Sequence, residues 1–328
     1  MTADKYQARM RAHTNIALVK YWGKRNKNLF LPVTSSLSLT LDAFYTETEV
    51  LFDPSLKEDS FTLDGQVQTG QSLAKVSNFV DLFRRDFNMS LPVQITSRNH
   101  VPTAAGLASS ASAFAALAAA SNQALGLGLS PEEVSVYARQ GSGSASRSLF
   151  GGFALWHKGQ GDDSASSYAQ QIDPADWDIA MLVVLVNPGP KKISSRQGME
   201  HTMQSSPFYA LWPEEVAKDL SAMEDAIKDR NIDQIGIIAE HNAMKMHATM
   251  IASNPSFTYW QAQSLLAMER VRQLRQAGYS AYFTMDAGPN VKVICPYSQV
   301  EAIRQALLDD FAEDHLVISR PGPAPYAV

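Results

Sequence analysis

A chain of 328 residues, 45% hydrophobic and 19% charged, is long enough to bury one large core or two ordinary ones, and its composition is globular. Its net charge of -5 argues against nucleic acid as a partner, because such binders need a basic face; a small anionic substrate needs only a local cluster of Lys and Arg. The single cysteine, Cys295, excludes an intramolecular disulfide and any multi-cysteine metal site, and fits a reducing cytoplasm.

Met1–Met10 mixes Asp4, Lys5 and Arg9 with polar residues and carries no apolar signal-peptide region. Thr40–Phe52 and Leu91–Ser97 alternate apolar and polar residues as half-buried strands do, with Leu91, Val93 and Ile95 on one side. Between them, Leu73, Val76, Val80 and Phe83 recur at helical spacing over Ser72–Phe87. Val101 to Pro131 holds no charged residue and is long enough to span a bilayer. Its Pro102, Gly106, serines and weakly hydrophobic alanines favour a buried helix entered through a glycine loop, with no membrane involved. Ser130-Pro131-Glu132-Glu133 is a helix start, with Ser as N-cap, Pro at the first helical position and Glu three residues after the cap.

Ile179–Val186 is a continuous apolar run that reads as a central strand, closed by Asn187-Pro188-Gly189-Pro190. That break divides the chain into residues 1–187 and 188–328. Beyond it, Trp212–Ala277 is mostly helical, followed by strands near Ala281–Met285 and Val291–Ile294, a helix near Val300–Phe311 and a last strand near His315–Ile318. Strands first, then helices before strands, indicate an α+β protein and not a regular βαβ series. Cys295 closes an apolar run and reads as strand core.

Several segments carry residues suited to anions. Asn15-Ile16-Ala17-Leu18-Val19-Lys20-Tyr21-Trp22-Gly23-Lys24 sets two lysines four apart around an aromatic pair. It either clamps an anionic chain against an amphipathic wall or ends a strand with solvated lysines. Pro102–Ser112 follows an alternating strand and opens an alanine-rich helix. Small residues let backbone approach a phosphate, and the free N–H groups of a first helical turn point at it. Ser109, Ser110 and Ser112 can add hydroxyls to phosphate or Mg²⁺, although the same small residues also suit tight helix packing. No G-x-x-x-x-G-K-[ST] and no complete G-x-G-x-x-G occurs, so neither a P-loop nor a Rossmann site is supported.

Gln140–Ser148 spaces Gly and Ser closely around Arg147, whose guanidinium can hold a carboxylate in a bidentate fork; a surface loop would read the same way. Lys191, Lys192 and Arg196 beside Ser194 and Ser195 form a phosphate cluster if folded inward and a solvated loop otherwise. Asp286 lies in Met285-Asp286-Ala287-Gly288-Pro289-Asn290, either a catalytic carboxylate or ordinary turn chemistry. His241 and His247 are six apart on a predicted helix, not the i, i+4 spacing of a zinc pair, and all the histidines read as structural.

In wording and order, these segments resemble one family. P-T-A-A-G-L-A-S-S-A over Pro102–Ala111 resembles the phosphate loop of the GHMP small-molecule kinase superfamily, and within it the mevalonate diphosphate decarboxylase branch. Lys20–Lys24 is similar to that branch's N-terminal motif, and Gly141–Ser148 to its Gly-Ser-Gly-Ser-Ala motif with a following Arg. Lys191–Met199 resembles its double-lysine, double-serine segment, and Met285–Asn290 its Asp-Ala-Gly-Pro-Asn turn. Arg196 stands where the eukaryotic branch usually has Thr, so the chain looks bacterial there.

The resemblance implies a two-domain GHMP-kinase-like α+β fold, with an N-terminal nucleotide-binding domain like a ribosomal protein domain and a C-terminal ferredoxin-like α/β sandwich bearing the catalytic Asp. It implies a cytoplasmic homodimer that takes ATP, Mg²⁺ and mevalonate 5-diphosphate and makes isopentenyl diphosphate. Asp286 would be the base, Lys20 its neighbour, and Arg147 the holder of the substrate carboxylate. Substrate contacts would come from Tyr21, Trp22, Gly23, Lys24, Ser142, Gly143, Ser144, Ala145, Ser146, Lys191, Ser195 and Arg196. ATP would lie on Ser97, Pro102, Ala105, Gly106, Leu107, Ala108, Ser109, Ser110 and Ser112, with Ser110 on Mg²⁺. The rivals are a mevalonate or phosphomevalonate kinase that loses no CO₂, a monophosphate decarboxylase, and a catalytically silent nucleotide-binding member. Arg147 in its Gly-Ser setting, together with Asp286, favours the decarboxylase.

Overall fold

The computed structural model describes residues 6–100, 109–186 and 193–328. The chain begins with β1 (Tyr6–Val19), a short hairpin of β2 (Lys24–Asn26) and β3 (Leu31–Pro32), and the long β4 (Ser36–Phe52). β5 (Ser60–Leu63), β6 (Gln66–Gln68), α1 (Gln71–Asp86) and β7 (Val93–His100) follow. Next come α2 (Ser109–Ala124), α3 (Pro131–Gly141), a 3-10 segment Gly143–Leu149, β8 (Phe153–Trp156) and β9 (Ala169–Asp173). The second half holds β10 (Ala180–Val184), α4 (Ser195–Ser205), α5 (Trp212–Lys228), α6 (Ile232–Ile251) and α7 (Ala262–Gln276). It ends with β11 (Tyr282–Met285), β12 (Val291–Cys295), α8 (Tyr297–Leu307), β13 (Leu316–Ser319) and β14 (Tyr326–Ala327).

Two sheets organise these elements. The first runs β14-β1-β4-β7-β5-β6, with β8 on β4 and β9 on β8; the second runs β11-β12-β10-β13. β1 and β4 pair antiparallel from Tyr6 opposite Phe52 to Val19 opposite Leu37, with register shifts between His13 and Asn15 and between Ala17 and Val19. A bulge re-aims the side chains beyond it. Ala12 accordingly packs with Val50, Phe83 and Leu117 on one face, whereas Ile16 and Leu18 pack with Val216, Met223 and Met246 on the other.

α2 is buried along nearly its whole length, and its alanines let it lie close against β1 and β4. Where α3 ends, a Cβ on Gly141 would come within 2.0 Å of the Phe114 ring, so only glycine permits this approach of α2 and α3. α3 starts as its sequence dictates, with Ser130 and Glu133 forming a reciprocal capping box.

In the second sheet, Leu182, Val184, Phe283, Val291 and Val293 pack against Val271 of α7 and Ile303 and Leu307 of α8. The opposite face, with Met181, Val183 and Ile294, meets α5 and α6, which in turn cover Leu18 and Leu39 of the first sheet. Each fully buried side chain of this kind contributes roughly 1.5–3 kcal/mol, so the shared core fixes one sheet against the other.

The sequence expectations meet the structure with several differences. The apolar run at Ile179–Val186 is a central strand, but its hydrogen bonds go to β12 and β13. We therefore draw the division between β9 and β10, ahead of residue 187, while β14 brings the end of the chain back to β1. The described part of the cationic stretch, for which the sequence leaves an inward phosphate cluster and a solvated loop both open, is helix from Ser195, because Ser194 and Gln197 make a second capping box. Among the described residues, no helix is long and apolar enough to cross a membrane.

Candidate active site

A cleft of about 530 Å³ is lined by the end of β1, the 3-10 segment, the start of α4 and the β11–β12 turn. Lys20 sits where the bulged β1 ends, with its side chain 1% exposed. Its backbone N–H donates to Asn242 Oδ1 at 2.8 Å, and Asn242 Nδ2 donates to Asp219 Oδ2 at 2.7 Å. Lys245 pairs with that same Asp219 at 2.8 Å, so α5 and α6 together hold the position of Lys20. The Lys20 ammonium donates to Ala17 O at 2.6 Å and to Asp286 Oδ1 at 2.8 Å.

Asp286 occupies the turn between β11 and β12, where Gly288 N–H donates to its carbonyl at 2.8 Å. The turn reading and the catalytic reading of this segment are thus compatible. Its other oxygen, Oδ2, faces Lys292 Nζ at 3.2 Å, and its side chain is 30% exposed toward the cleft. Burial pushes the Asp286 carboxyl up, but Lys20 and Lys292 outweigh burial and hold it well below the usual carboxylate range. Burial pulls the Lys20 ammonium down to about 8 against the opposing pull of Asp286. His247 is fully buried nearby, its ring 5.1 Å from that of Trp260; burial and then Lys20 lower it to about 3, so it is neutral.

Arg147 projects from the 3-10 segment and is 2% exposed. Its Nε donates to Asn15 Oδ1 at 3.3 Å, another guanidinium nitrogen donates to Ser36 Oγ, and the group lies 5.8 Å from the centre of the Trp156 ring. These partners are all neutral. Burial pulls Arg147 down to about 10 against the pull of the nearby Asp286, leaving it charged at neutral pH, and a buried charge with no directly bonded anion favours the arrival of one. Asn15 fixes this corner by donating to Ser144 O and Ser148 Oγ, each at 2.8 Å.

Also lining the cleft, Lys24 Nζ lies 3.6 Å over the Phe30 ring, with the Arg196 guanidinium 5.4 Å from the same ring. Burial, then Arg196, lowers Lys24 to about 8. Ser194, Ser195, Trp22 and Tyr21 line the wall, and Tyr21 meets Trp156 edge-on at 4.8 Å. Ser142, Gly143 and Ser144 form the floor, where a Cβ on Gly143 would come within 2.8 Å of the Tyr21 ring. A smaller cavity of about 190 Å³ adjoins, lined by Phe61, Leu63, Val76, Ile95 and Phe114 together with Ser97 and Ser109. Ser110 and Lys75 belong to both cavities.

Several expected residues lie elsewhere. Ser112 is buried and bonds with Thr14 at 3.3 Å and Thr46 at 2.8 Å. Ser146 donates to Gly143 O at 2.8 Å, Ala145 is core, and Gly23 packs against Tyr209 and Met203. Pro102, Ala105, Gly106, Leu107, Ala108 and Lys191 lie outside the described residues. The sequence reading assigned no role to Asn15, Lys75, Asn242 or Lys292. Only Lys292 left a signal, as a lone charge inside the apolar run Val291–Cys295.

The sequence profile of a diphosphomevalonate decarboxylase-like N-terminal domain matches residues 12–169, and that of the mevalonate 5-diphosphate decarboxylase C-terminal domain matches residues 181–320. The chain belongs to the mevalonate diphosphate decarboxylase family. The gap between the two matched regions, residues 170–180, spans the stretch in which the chain passes from the first sheet to the second. Within this family, the chain is 37% identical to diphosphomevalonate decarboxylase of Ganoderma lucidum, over 94% of this chain and 83% of the relative. It superposes on mevalonate diphosphate decarboxylase from Staphylococcus aureus with a TM-score of 0.95 at 43% identity, covering 99% and 98% of the two chains. A solved complex of MDDEF with MVAPP, AMPPCP and magnesium matches with a TM-score of 0.94 at 48% identity, covering 99% of each chain.

Proposed function

We propose that this chain catalyses the ATP-dependent decarboxylation of mevalonate 5-diphosphate to isopentenyl diphosphate, releasing ADP, phosphate and CO₂. The observation that carries this is the convergence of Asp286 and Arg147, whose direct partners are neutral, on one cleft that Lys24 and Arg196 also line. A kinase needs a base and a phosphate site. A buried arginine awaiting a second anion is what a decarboxylase adds. The complex of the MDDEF relative with MVAPP, AMPPCP and magnesium supports the same reading.

In this assignment, Lys24, Arg196 and the adjoining serines take the diphosphate, and Arg147 takes the carboxylate in a bidentate fork. The apolar cavity beside Ser97 and Ser109 takes the base of ATP, and Ser110 and Lys75, shared by both cavities, sit where its phosphates must pass. Among the described residues, no three His, Cys, Asp or Glu side chains cluster as a metal cage. Instead, three hydroxyls converge, Ser110 on Ser142 at 3.2 Å and Ser142 on Ser144 at 3.3 Å. These neutral oxygens would supplement a Mg²⁺ ion that keeps its waters and is held mainly by carboxylate and substrate phosphate oxygens. When bound, the ion neutralises charge on the transferred phosphoryl group.

Asp286 orients the 3-hydroxyl and accepts its proton as the hydroxyl oxygen bonds to the γ-phosphorus and the bond to ADP breaks. The C3–O bond then breaks with its electron pair leaving on phosphate. The C1–C2 bond of the carboxylate arm supplies the pair for the new C2–C3 double bond, and CO₂ departs. Arg147 fixes the carboxylate through both steps, and much of the rate gain comes from such positioning.

The proposal includes cytoplasmic location and a homodimer, the latter decided by sedimentation velocity. Turnover is tested by incubating the protein with ATP, Mg²⁺ and either the mono- or the diphosphate of mevalonate while measuring ADP and CO₂ together. Equal yields of both from the diphosphate support the proposal; ADP without CO₂ makes the chain a kinase instead.

A further inference from the structure

The carboxylate at the centre of the cleft is gripped from both oxygens, and the second grip belongs to a residue outside the motifs. Lys292 lies in β12 opposite Val183 of β10 and Thr284 of β11. Its neighbours Val291 and Val293 point into the core beneath α7 and α8. Lys292 shares the other face with Ile294, in the direction of α6, and its side chain is only 1% exposed. Its ammonium faces Asp286 Oδ2 at 3.2 Å and Asn290 O at 3.3 Å. It does not line the cleft, so whatever it does to the reaction passes through Asp286.

An ammonium buried in the middle of a sheet is costly unless it is paired, and an aliphatic residue there would fill the layer without that cost. Lys292 and Lys20 approach different oxygens of one carboxylate, from different sheets. One ion pair leaves a carboxylate free to rotate about its last torsion; two on opposite oxygens fix its plane. Arg147 from the 3-10 segment adds a third cation near Asp286, and His247 from α6 is the remaining titratable neighbour. Three cations therefore face one carboxylate, and the surplus positive charge suits a site that must receive an anionic substrate.

We propose that Lys292 is a positioning residue of this site, fixing the plane of the Asp286 carboxylate from its second oxygen while Lys20 holds the first. The inference deepens the decarboxylase reading and rests on it. A carboxylate held this way is a weak base, so it accepts the hydroxyl proton late, once the bond to phosphorus is forming. Such timing fits the loose transition state of phosphoryl transfer.

The test compares wild type with Lys292→Met and Lys292→Arg, following CO₂ release against pH with the diphosphate and ATP. Lys292→Met should lose about 10–100-fold in kcat with little change in KM for ATP, the usual effect of a supporting residue. The acid limb of its kcat/KM profile should move to higher pH. Lys292→Arg, which keeps the charge, should recover part of kcat and return the limb. A folded Lys292→Met with wild-type kcat or an unmoved limb overturns the inference. If Lys292→Met does not fold, Lys292→Arg decides: its limb must stay at or below the wild-type pH, and an upward displacement overturns it. Inactive wild type would instead sink the decarboxylase reading. The Asp286 carboxylate band, read by infrared difference against Asp286→Asn, would still report the ionisation that Lys292 is inferred to impose: a band titrating in the ordinary aspartate range overturns the inference without any turnover.

Discussion

Lys20 and Asp286 are 266 residues apart in sequence and 2.8 Å apart in space, and their contact ties the end of β1 in the first sheet to the β11–β12 turn of the second. The ion pair therefore reports the closed relation of the two sheets as well as the chemistry of the cleft. Asp286→Asn keeps the shape of the side chain and removes its capacity as a base. Turnover should fall roughly 10²–10⁴-fold, the usual worth of a positioned base, with ATP binding little changed. Single-turnover CO₂ release beside a nucleotide titration measures both, and normal turnover would remove Asp286 from its assigned role.

The same substitution carries a stability signature with a definite sign. It leaves the buried Lys20 and Lys292 without their countercharge, and breaking a buried pair from one side costs about 3–5 kcal/mol. Lys20 already has its folded value pulled down to about 8 by burial, with the carboxylate resisting. Without that carboxylate, the folded variant sheds protons at lower pH than the wild type does. Its deficit should therefore be largest where every lysine is protonated and should narrow as pH rises toward about 8. Urea denaturation of both proteins across that range checks it, and a gap that widens with pH contradicts the account.

Arg147 makes a different prediction, because its described partners are neutral. Arg147→Gln removes the charge yet keeps hydrogen-bonding capacity toward Asn15 and Ser36, so the local fold should survive. CO₂ release should fall by about 10²-fold or more, the loss of at least one charge-assisted bidentate contact, while ATP affinity stays within a few-fold. Equal losses in nucleotide binding and CO₂ release would mean that Arg147 serves the whole cleft and not the carboxylate.

How far the sequence reached can be argued residue by residue. The strands at Thr40–Phe52 and Leu91–Ser97 and the helix cap at Ser130 were legible because periodicity and capping act locally. The partner of Ile179–Val186 was not, since an apolar run reports burial and is silent on which sheet does the burying. Helix α4 was hidden by its preceding charges, although Ser194 and Gln197 already stood three apart as a capping box. In the site, Lys20, Arg147 and Asp286 were legible through their motifs. Asn242 was not, because one amide within a helix looks like any other; its role exists only where α6 crosses the end of β1. His247, read as structural, is buried and neutral but stands within reach of the charge on Lys20.

The basic limb of the pH profile follows from burial in the cleft. Lys20 and Lys24 are both lowered to about 8, each mainly by desolvation. Both are assigned roles that need the ammonium form, so kcat/KM for the diphosphate should fall as pH rises through about 8 in the free enzyme. Replacing Lys24 by Arg, which stays protonated, should remove its share of the limb and leave that of Lys20. A profile flat to about pH 10, near the unperturbed lysine value, would show that neither ammonium is required.

Gly23 offers a test of how the aromatic wall is held. Its φ of +126° is a conformation that side chains rarely adopt, and a Cβ there would come within 1.8 Å of the Tyr209 hydroxyl. That hydroxyl donates to Trp22 O at 2.8 Å, so Gly23→Ala both strains the backbone and pushes away the group that anchors Trp22. The expected loss of stability is about 1–3 kcal/mol. Because Trp22 and Lys24 flank the position, KM for the diphosphate should rise more than kcat falls. Adding Tyr209→Phe removes the clashing oxygen, so the double variant should lose less stability than the sum of the two single variants. Strict additivity would place the cost in the backbone alone and leave Tyr209 with no part in seating the wall.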